Sequence, residues 1–171
     1  MQRQPTLLNS CARAATAAEA RYRISYPFGT TRASRIIALD ERAASVVQGL
    51  AGQQWSGGHF LVFERALPTN GSGDAAADAV LRTTDGARVT LGEELDGADV
   101  AVVVATSDVR PEAASVIGNA CAARLIMTAG FVLSGDGGVD EAVCVLRPNV
   151  MVLMVLRDHE DIPAILGALR V

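Results

Sequence analysis

The sequence contains no lysine, and all fifteen basic residues of its 171 are arginines. A Schiff-base lysine, a catalytic lysine and the lysine of a phosphate-binding P-loop each require a primary amine. The absence of lysine therefore excludes these three kinds of site. Nineteen acidic residues outnumber the arginines, and the net charge of −4 gives no general attraction to nucleic acids or anionic membranes. We expect neither as a partner.

Cysteine is scarce and widely spaced, occurring only at Cys11, Cys121 and Cys144. An odd number of cysteines without a CxxC pair or a Cys/His cluster indicates neither a disulfide framework nor a zinc site. This pattern is typical of reduced thiols in a cytoplasmic protein. We therefore predict no metal, no cofactor and a cytoplasmic location.

Long apolar runs are also missing. No run approaches the roughly 18 residues that a membrane-spanning helix needs. The most apolar segment near the C-terminus, Val150–Leu156, has seven residues, which is the length of a buried strand.

The first 34 residues differ in composition from the rest. They carry five arginines and a single acid, Glu19. This composition resembles an organellar transit peptide, but Tyr22, Ile24, Tyr26 and Phe28 are apolar at alternate positions and need a surface to pack on. We interpret residues 1–34 as an N-terminal arm that docks on the body or on a neighbouring subunit. Tyr22, Tyr26 and Phe28 are its candidate interface residues.

From Arg35 onward, apolar runs of strand length alternate with helical patterns, so residues 35–171 form one predicted α/β domain. Continuous apolar strands, such as Asp99–Ala105 and Val150–Leu156, are typical of strands covered on both faces. With right-handed crossovers these units give a three-layer α/β/α sandwich around a mostly parallel sheet. The predicted strands are Arg35–Leu39, His59–Glu64, Arg88–Leu91, Asp99–Ala105, Ile126–Leu133 and Val150–Leu156. The predicted helices are Asp40–Leu50, Pro111–Leu125, Val139–Leu146 and Ile162–Leu169, with a short one at Asp74–Leu81 in an otherwise loop-like segment and a turn at Gly92–Leu95.

Gly97-Ala98-Asp99 leads into an apolar strand, Ala114–Ile117 and Leu125–Ala129 lie in the helix and strand that follow, and Gly58–Val62 lies in an earlier strand. These four segments resemble the Gly-Ala-Asp-led strand, the next helix and strand, and the second strand in the nucleotide-binding domain of the tubulin/FtsZ-like GTPases, in particular the bacterial cell-division members. The likeness covers Arg35–Val171 in order and is strong only over Gly97–Asp136. The resemblance implies a fold that is Rossmann-like or like the FtsZ N-terminal domain.

The sequence departs from that family at the loops that bind phosphate and in the part that supplies catalysis. Residues Ser107–Glu112 occupy the position of the glycine-rich phosphate loop and match none of its glycines. Asp40-Glu41-Arg42 replaces the glycine-rich loop after the first strand, and acids there repel phosphate. The second domain of the family, which supplies the catalytic loop, has no room in this chain. The resemblance therefore implies the fold and argues against GTP hydrolysis.

Polar residues follow the predicted strands at the edge where α/β sheets usually bind ligands. One interpretation is a ligand site in which Asp108 and Arg110 bind an anionic or polar molecule and His159 serves as a general base. The alternative is structural: Asp40 caps the first helix, Ser107 or Asp108 caps the helix that begins at Pro111, and His159 lies in a solvated loop. The candidate ligand-binding residues are Asp40, Thr106, Ser107, Asp108, Arg110, Asp136 and His159.

Trp55 is the only tryptophan and lies in a loop beside two glycines. It either marks a contact surface or fills the corner between a helix and a strand, and the neighbouring His59 is interpreted as structural. No catalytic residue is assigned. The sequence favours a non-catalytic α/β domain that binds a partner or self-associates through the arm as a homo-oligomer. The alternatives are a small-molecule-binding enzyme or enzyme subunit that uses the strand-end crevice, and nucleotide binding without hydrolysis.

Overall fold

A mostly parallel seven-stranded sheet organises the residues that the computed structural model describes, which are 31–66, 79–135 and 138–171. The strand order is β4-β3-β2-β1-β5-β6-β7. Strands β1, β2, β5, β6 and β7 run parallel, whereas β3 is antiparallel to both β2 and β4. The strands are β1 Ser34–Ala38, β2 Gly58–Ala66, β3 Ala79–Thr83, β4 Arg88–Thr90, β5 Val100–Ala105, β6 Met127–Leu133 and β7 Val152–Leu156.

Helices cover both faces of this sheet and build two apolar cores. Buried residues of α1 and α5, such as Val47 and Leu166, pack in one core with Ile36 and Phe131. The core on the other face contains buried residues of α2, α3 and α4. The predicted three-layer α/β/α sandwich is confirmed. The helices are α1 Glu41–Ala51, α2 Leu91–Leu95, α3 Pro111–Ala123, α4 Asp140–Leu146 and α5 Ile162–Leu169.

The central and edge strands differ in burial, although both are continuous apolar runs. All six residues of β5 are buried, as expected for a strand with a strand on each side and helices on both faces. The same expectation for Val150–Leu156 is wrong, because β7 is the edge strand and only Leu156 in it is buried. Apolar composition alone does not distinguish an edge strand from a central one.

Two local predictions are corrected between β2 and β5. Residues 79–81 lie in β3 rather than in a helix, because they pair with β2 and β4, and residues 74–78 of the predicted helix lie outside the described part. The predicted turn at Gly92–Leu95 is helix α2. Its N-cap Thr90 and Glu93 form a reciprocal capping box, which stabilises the first turn of this short helix.

The two ends of the described body meet beside the start of β1. The backbone N–H of Arg32 donates to the carbonyl of Arg170 at 2.9 Å, and Ser34 N–H donates to the carbonyl of Gly57. Within the described residues, no helix combines the length and the apolar character needed to cross a bilayer.

Candidate functional site

The carboxyl ends of β1 and β5 lie side by side at the point where the chain changes direction across the sheet. After β1 the chain crosses to β2 on one side, and β5 lies on the other. Ala38 is in register with Val104, and Leu39 N–H donates to the Val104 carbonyl at 2.9 Å. This is the crevice in which open α/β sheets usually bind ligands.

Asp40 is the residue that joins the two strands in this crevice. One carboxylate oxygen, Oδ1, accepts from Ala43 N–H at 2.9 Å and from the Thr106 hydroxyl at 3.0 Å. The other, Oδ2, accepts from Thr106 N–H at 2.7 Å. The prediction that Asp40 caps α1 is confirmed. The side chain also ties β5 to the cap, and both carboxylate oxygens are engaged.

The turn between β5 and α3 differs from the predicted capping arrangement. The N-cap of α3 is Arg110 and makes no side-chain capping bond, so the prediction that Ser107 or Asp108 caps this helix is wrong. Pro111 lies in the first turn, as predicted. The turn is held instead by the Thr106 hydroxyl, which accepts from Asp108 N–H at 3.3 Å, while Ser107 is half-buried.

Arg110 reaches across the crevice to the end of β2. Its Nη2 donates to the carbonyl of Phe63 at 2.7 Å and its Nη1 to the carbonyl of Glu64 at 3.0 Å. The guanidinium carbon lies 5.2 Å from the centre of the Phe63 ring, a cation–π distance. Arg110 therefore fixes the position of α3 against β2 and satisfies two carbonyls at the strand end.

These side chains border a cavity of about 490 Å³, and two of its acidic residues, Glu64 and Asp108, form ion pairs within the protein. Glu64 forms two ion pairs: its Oε1 lies 3.3 Å from Arg82 Nε, and its Oε2 lies 3.0 Å from Arg88 Nε. Asp108 pairs with Arg42 at 3.2 Å, an exposed contact that contributes little to stability. The cavity is lined by Asp40, Glu41, Val62, Phe63, Glu64, Arg82, Asp108 and Arg110. The crevice thus brings Asp40, Thr106, Asp108 and Arg110 together, with most of their polar atoms already bonded.

His159 does not line this crevice. It lies in a 3₁₀ turn, His159–Asp161, where Asp158 accepts from Glu160 N–H at 2.9 Å. The exposed imidazole lines a separate cavity of about 560 Å³ between α1 and α5, together with Val46 and Pro163. The last candidate, Asp136, lies outside the described residues. No group of three or more metal-ligating side chains occurs in the described part of the chain.

A second polar cluster, which sequence reasoning missed, lies at the amino ends of β1 and β2, away from the crevice. Glu94 Oε2 forms an ion pair with Arg35, whose Nε lies 3.1 Å away, and lies 3.0 Å from His59 Nδ1. The Arg35 Nε–H itself donates to the backbone carbonyl of Glu94. The Arg35 and Glu94 side chains are largely buried, whereas the His59 ring is exposed and borders a cavity of about 400 Å³. With Nδ1 directed at the carboxylate, Nε2 is the nitrogen left for other partners. The three residues come from β1, β2 and α2, and no spacing in the sequence connects them.

Trp55 fills the corner between α1 and β2. Its Nε1–H donates to the Leu50 carbonyl at 2.7 Å, and its ring centre lies 5.8 Å from that of Phe60. The half-buried ring packs against the core beneath α1. Its role as an interface residue stays a prediction. The other interface candidates, Tyr22, Tyr26 and Phe28, lie outside the described residues.

An apolar surface, also missed from the sequence, borders β6 and β7. Within the described residues, all the exposed large hydrophobic side chains lie on these strands or directly before them: Leu125, Met127, Met151, Val152 and Val155. Leu125 is 92 % exposed and has a φ of 57°. A left-handed backbone costs a non-glycine residue about 1 kcal/mol. We call these five residues the β7 surface. No local pattern in the sequence marks this surface, because the strand order decides which apolar run lies at the edge.

Comparison with known proteins adds no family to this geometry. No protein-family model matches the chain, and neither the curated proteins nor the solved structures include a match.

Proposed function

We propose that this protein is a non-catalytic α/β domain that self-assembles through the β7 surface. The observation that carries the proposal is that all the exposed large hydrophobic side chains of the described residues lie on β6 and β7 or directly before them, and that Leu125, Met127 and Met151 line one cavity. Contiguous apolar patches on a protein surface are typical of protein–protein contacts. Scattered single hydrophobic residues would carry no such argument.

The edge strand itself supports this proposal. Natural sheets protect their edges with charges, prolines, bulges or very short strands, because a free edge can pair with another chain. Strand β7 has five residues and consists only of valine, leucine and methionine. The one described strand that pairs with it is β6.

The state of the strand-end crevice supports a non-catalytic role. The candidates best placed to bind a ligand there are Asp40 and Arg110. Asp40 already accepts hydrogen bonds from the protein itself, and Arg110 already donates hydrogen bonds to it. A ligand that used Asp40 would have to displace buried hydrogen bonds, which costs the desolvation of each group left unpaired. These contacts favour a structural use of the crevice over a catalytic one.

Size-exclusion chromatography with light scattering on the full-length protein tests the proposal. We expect wild type to show a mass above that of one chain and Val152→Asp to show the mass of one chain. Val152 is 53 % exposed, so the substitution removes an apolar contact surface and adds a charge without opening the core. Gln48→Asp, on the exposed face of α1, is the matched control and should keep the wild-type mass. A monomeric wild type would refute the proposal.

A second candidate function is small-molecule binding at His59. Glu94 supports it, because its carboxylate contacts Nδ1 of the ring and leaves Nε2 for a ligand. A thermal-shift screen with nucleotides and metabolites, run on wild type and His59→Ala, tests it. The expected result is a rise in Tm for wild type alone, because a ligand that binds only the folded state stabilises it by mass action. The same screen, with GTP and GDP included, tests nucleotide binding without hydrolysis, which the tubulin/FtsZ-like resemblance suggests.

A further inference from the structure

We infer that the assembly closes at two copies, with β7 of one copy pairing antiparallel with β7 of the second about a two-fold axis. The inference rests on the proposed function and specifies its partner and geometry. The result would be one continuous sheet that runs through both copies.

The opposite edge of the sheet is unsuited to the same contact. Among the described strands, the other edge is β4, which has three residues and begins with Arg88. Arg88 is held in an ion pair with Glu64 at 3.0 Å, and helix α2 starts at Leu91 directly after the strand. A head-to-tail contact between β7 and β4 would pair a five-residue strand with a short, charged one. Open filaments need such a heterologous contact, whereas a two-fold contact uses the same edge on both copies.

The charges at the two ends of β7 favour the antiparallel arrangement. Arg157, Asp158, Glu160 and Asp161 follow the strand, one positive and three negative charges that give a net −2 with His159 neutral. All of these side chains are exposed. The ten residues before β7 contain a single charge, the exposed Arg147. Antiparallel pairing brings the acidic end of each copy to the Arg147 end of the other, whereas parallel pairing would set the two acidic ends together.

Full overlap of the paired strands defines the residue on the axis. Strand β7 spans Val152–Leu156, so an antiparallel pair of full length places Met154 opposite Met154 of the second copy. Directly opposed residues in antiparallel strands have Cα atoms about 4.5–5.5 Å apart. This separation lies within the roughly 4.4–6.8 Å that a disulfide spans.

Cysteine cross-linking in the full-length protein tests the geometry. We expect Met154→Cys, in a background with Cys11→Ser and Cys144→Ser, to form a covalent dimer on mild oxidation. Gln48→Cys in the same background is the control and should stay uncross-linked. The buried Cys121 is retained. A charge reversal supplies the second readout: Arg147→Glu should weaken the dimer about tenfold, and Asp161→Arg in the same chain should restore part of that affinity, because the register that sets Met154 opposite Met154 also sets residue 147 opposite residue 161.

The outcomes separate this inference from the proposed function. A dimer by light scattering without the Met154→Cys cross-link, or a mass of four or more chains, overturns the inference and leaves self-assembly standing. A monomer overturns both, and hydrogen exchange then identifies the occupant of the edge. In a monomer, protection of the β7 amides that do not bond to β6 would mean that another part of the same chain covers the strand. Fast-exchanging amides would mean a bare edge that is available to a different protein.

Discussion

At the scale of single residues, Asp40 has the densest set of contacts in the strand-end crevice. It is 6 % exposed and accepts hydrogen bonds from the start of α1 and from both polar groups of Thr106. A carboxylate at this position in a ligand-binding α/β domain would face the ligand. Here it connects β1, β5 and α1, so its contribution is to stability.

Asp40→Ala should lower the free energy of unfolding by about 2–4 kcal/mol. The loss of a helix cap costs about 1 kcal/mol, and the buried Thr106 N–H left without an acceptor costs roughly 1–3 kcal/mol more. Urea unfolding monitored by circular dichroism measures the change. The control is Glu41→Ala, one residue along and exposed, which should change the stability by less than about 0.5 kcal/mol. Equal effects of the two substitutions would contradict the structural role of Asp40.

The two described cysteines should differ in reactivity. Burial raises the pKa of the Cys121 thiol from its ordinary 9.0 to about 11, and nearby Arg124 lowers it only in part. The reactive thiolate is therefore roughly a thousandth of Cys121 at pH 8. We expect an alkylating reagent to label the exposed Cys144 within minutes and Cys121 only after unfolding, as measured by peptide mass spectrometry. Rapid native labelling of Cys121 would show that α3 opens readily.

The same pKa shift gives stability a defined dependence on pH. The folded state holds the Cys121 proton more tightly than the unfolded chain does. The resulting stabilisation is complete below about pH 9 and is lost as the pH rises toward 11. Cys121→Ala should remove this alkaline loss while leaving the rest of the pH profile in place.

At the scale of elements, α3 approaches the segment before β7 closely at Gly118. A Cβ added there would lie 2.8 Å from both Cβ and the carbonyl oxygen of Asn149, in the 3₁₀ turn before β7. Backbone atoms at this distance cannot yield as a flexible side chain does. Glycine at this position therefore sets how closely α3 packs on the segment that leads into the edge strand.

Two glycine-to-alanine substitutions should have opposite effects. Gly118→Ala should destabilise the protein by about 1–3 kcal/mol, since the overlap with Asn149 outweighs the better helix propensity of alanine. Gly49→Ala, in α1 with nothing within 4 Å of the added Cβ, should stabilise it by about 0.4–1 kcal/mol. Thermal unfolding of the two variants beside wild type measures both. A stabilising Gly118→Ala would mean that α3 and the 3₁₀ turn lie further apart.

Sequence patterns predicted most elements and failed where the outcome depends on distant neighbours. The strands and helices around β1, β5 and α3 follow from continuous apolar runs, N-caps and Pro111, which are local features. Strand β3 was missed because its pairing with β2 and β4 is what makes it a strand. The exposure of β7 could not be predicted because the strand order decides which apolar run lies at the edge.

The candidate site shows the same division. The capping role of Asp40 is local, because the Ala43 N–H that donates to its carboxylate lies three residues away, and the sequence predicts it. Arg110 donates to carbonyls 46 and 47 residues away, and Glu94 lies 59 residues from Arg35. Such contacts depend on the fold and carry no signal in spacing. The arm predicted at residues 1–34 lies mostly outside the described residues, and its interface role stays a prediction.

At the scale of the whole molecule, the sheet formed by the described residues has one apolar edge and one short, charged edge. If β7 is the contact, folding and assembly are linked by mass action. We expect the Tm of wild type to rise with protein concentration and the Tm of Val152→Asp to be independent of it. Differential scanning calorimetry over a hundredfold range of concentration measures both. A concentration-independent wild-type Tm would count against assembly through this edge.

The hydrogen bond from the backbone N–H of Arg32 to the carbonyl of Arg170 brings the two ends of the described body together. Where the two ends of a compact body lie together, a short linker can join them without distorting the elements between them, so a variant that comprises only residues 31–171 could be circularly permuted. New ends could open at Gly86, in the exposed turn between β3 and β4, where the backbone has a φ of 91° and no neighbour crowds it. In such a permutant, β4 would come first and β3 last, while every strand kept its neighbours. The order in which the strands are synthesised is thus separable from the order in which they pair.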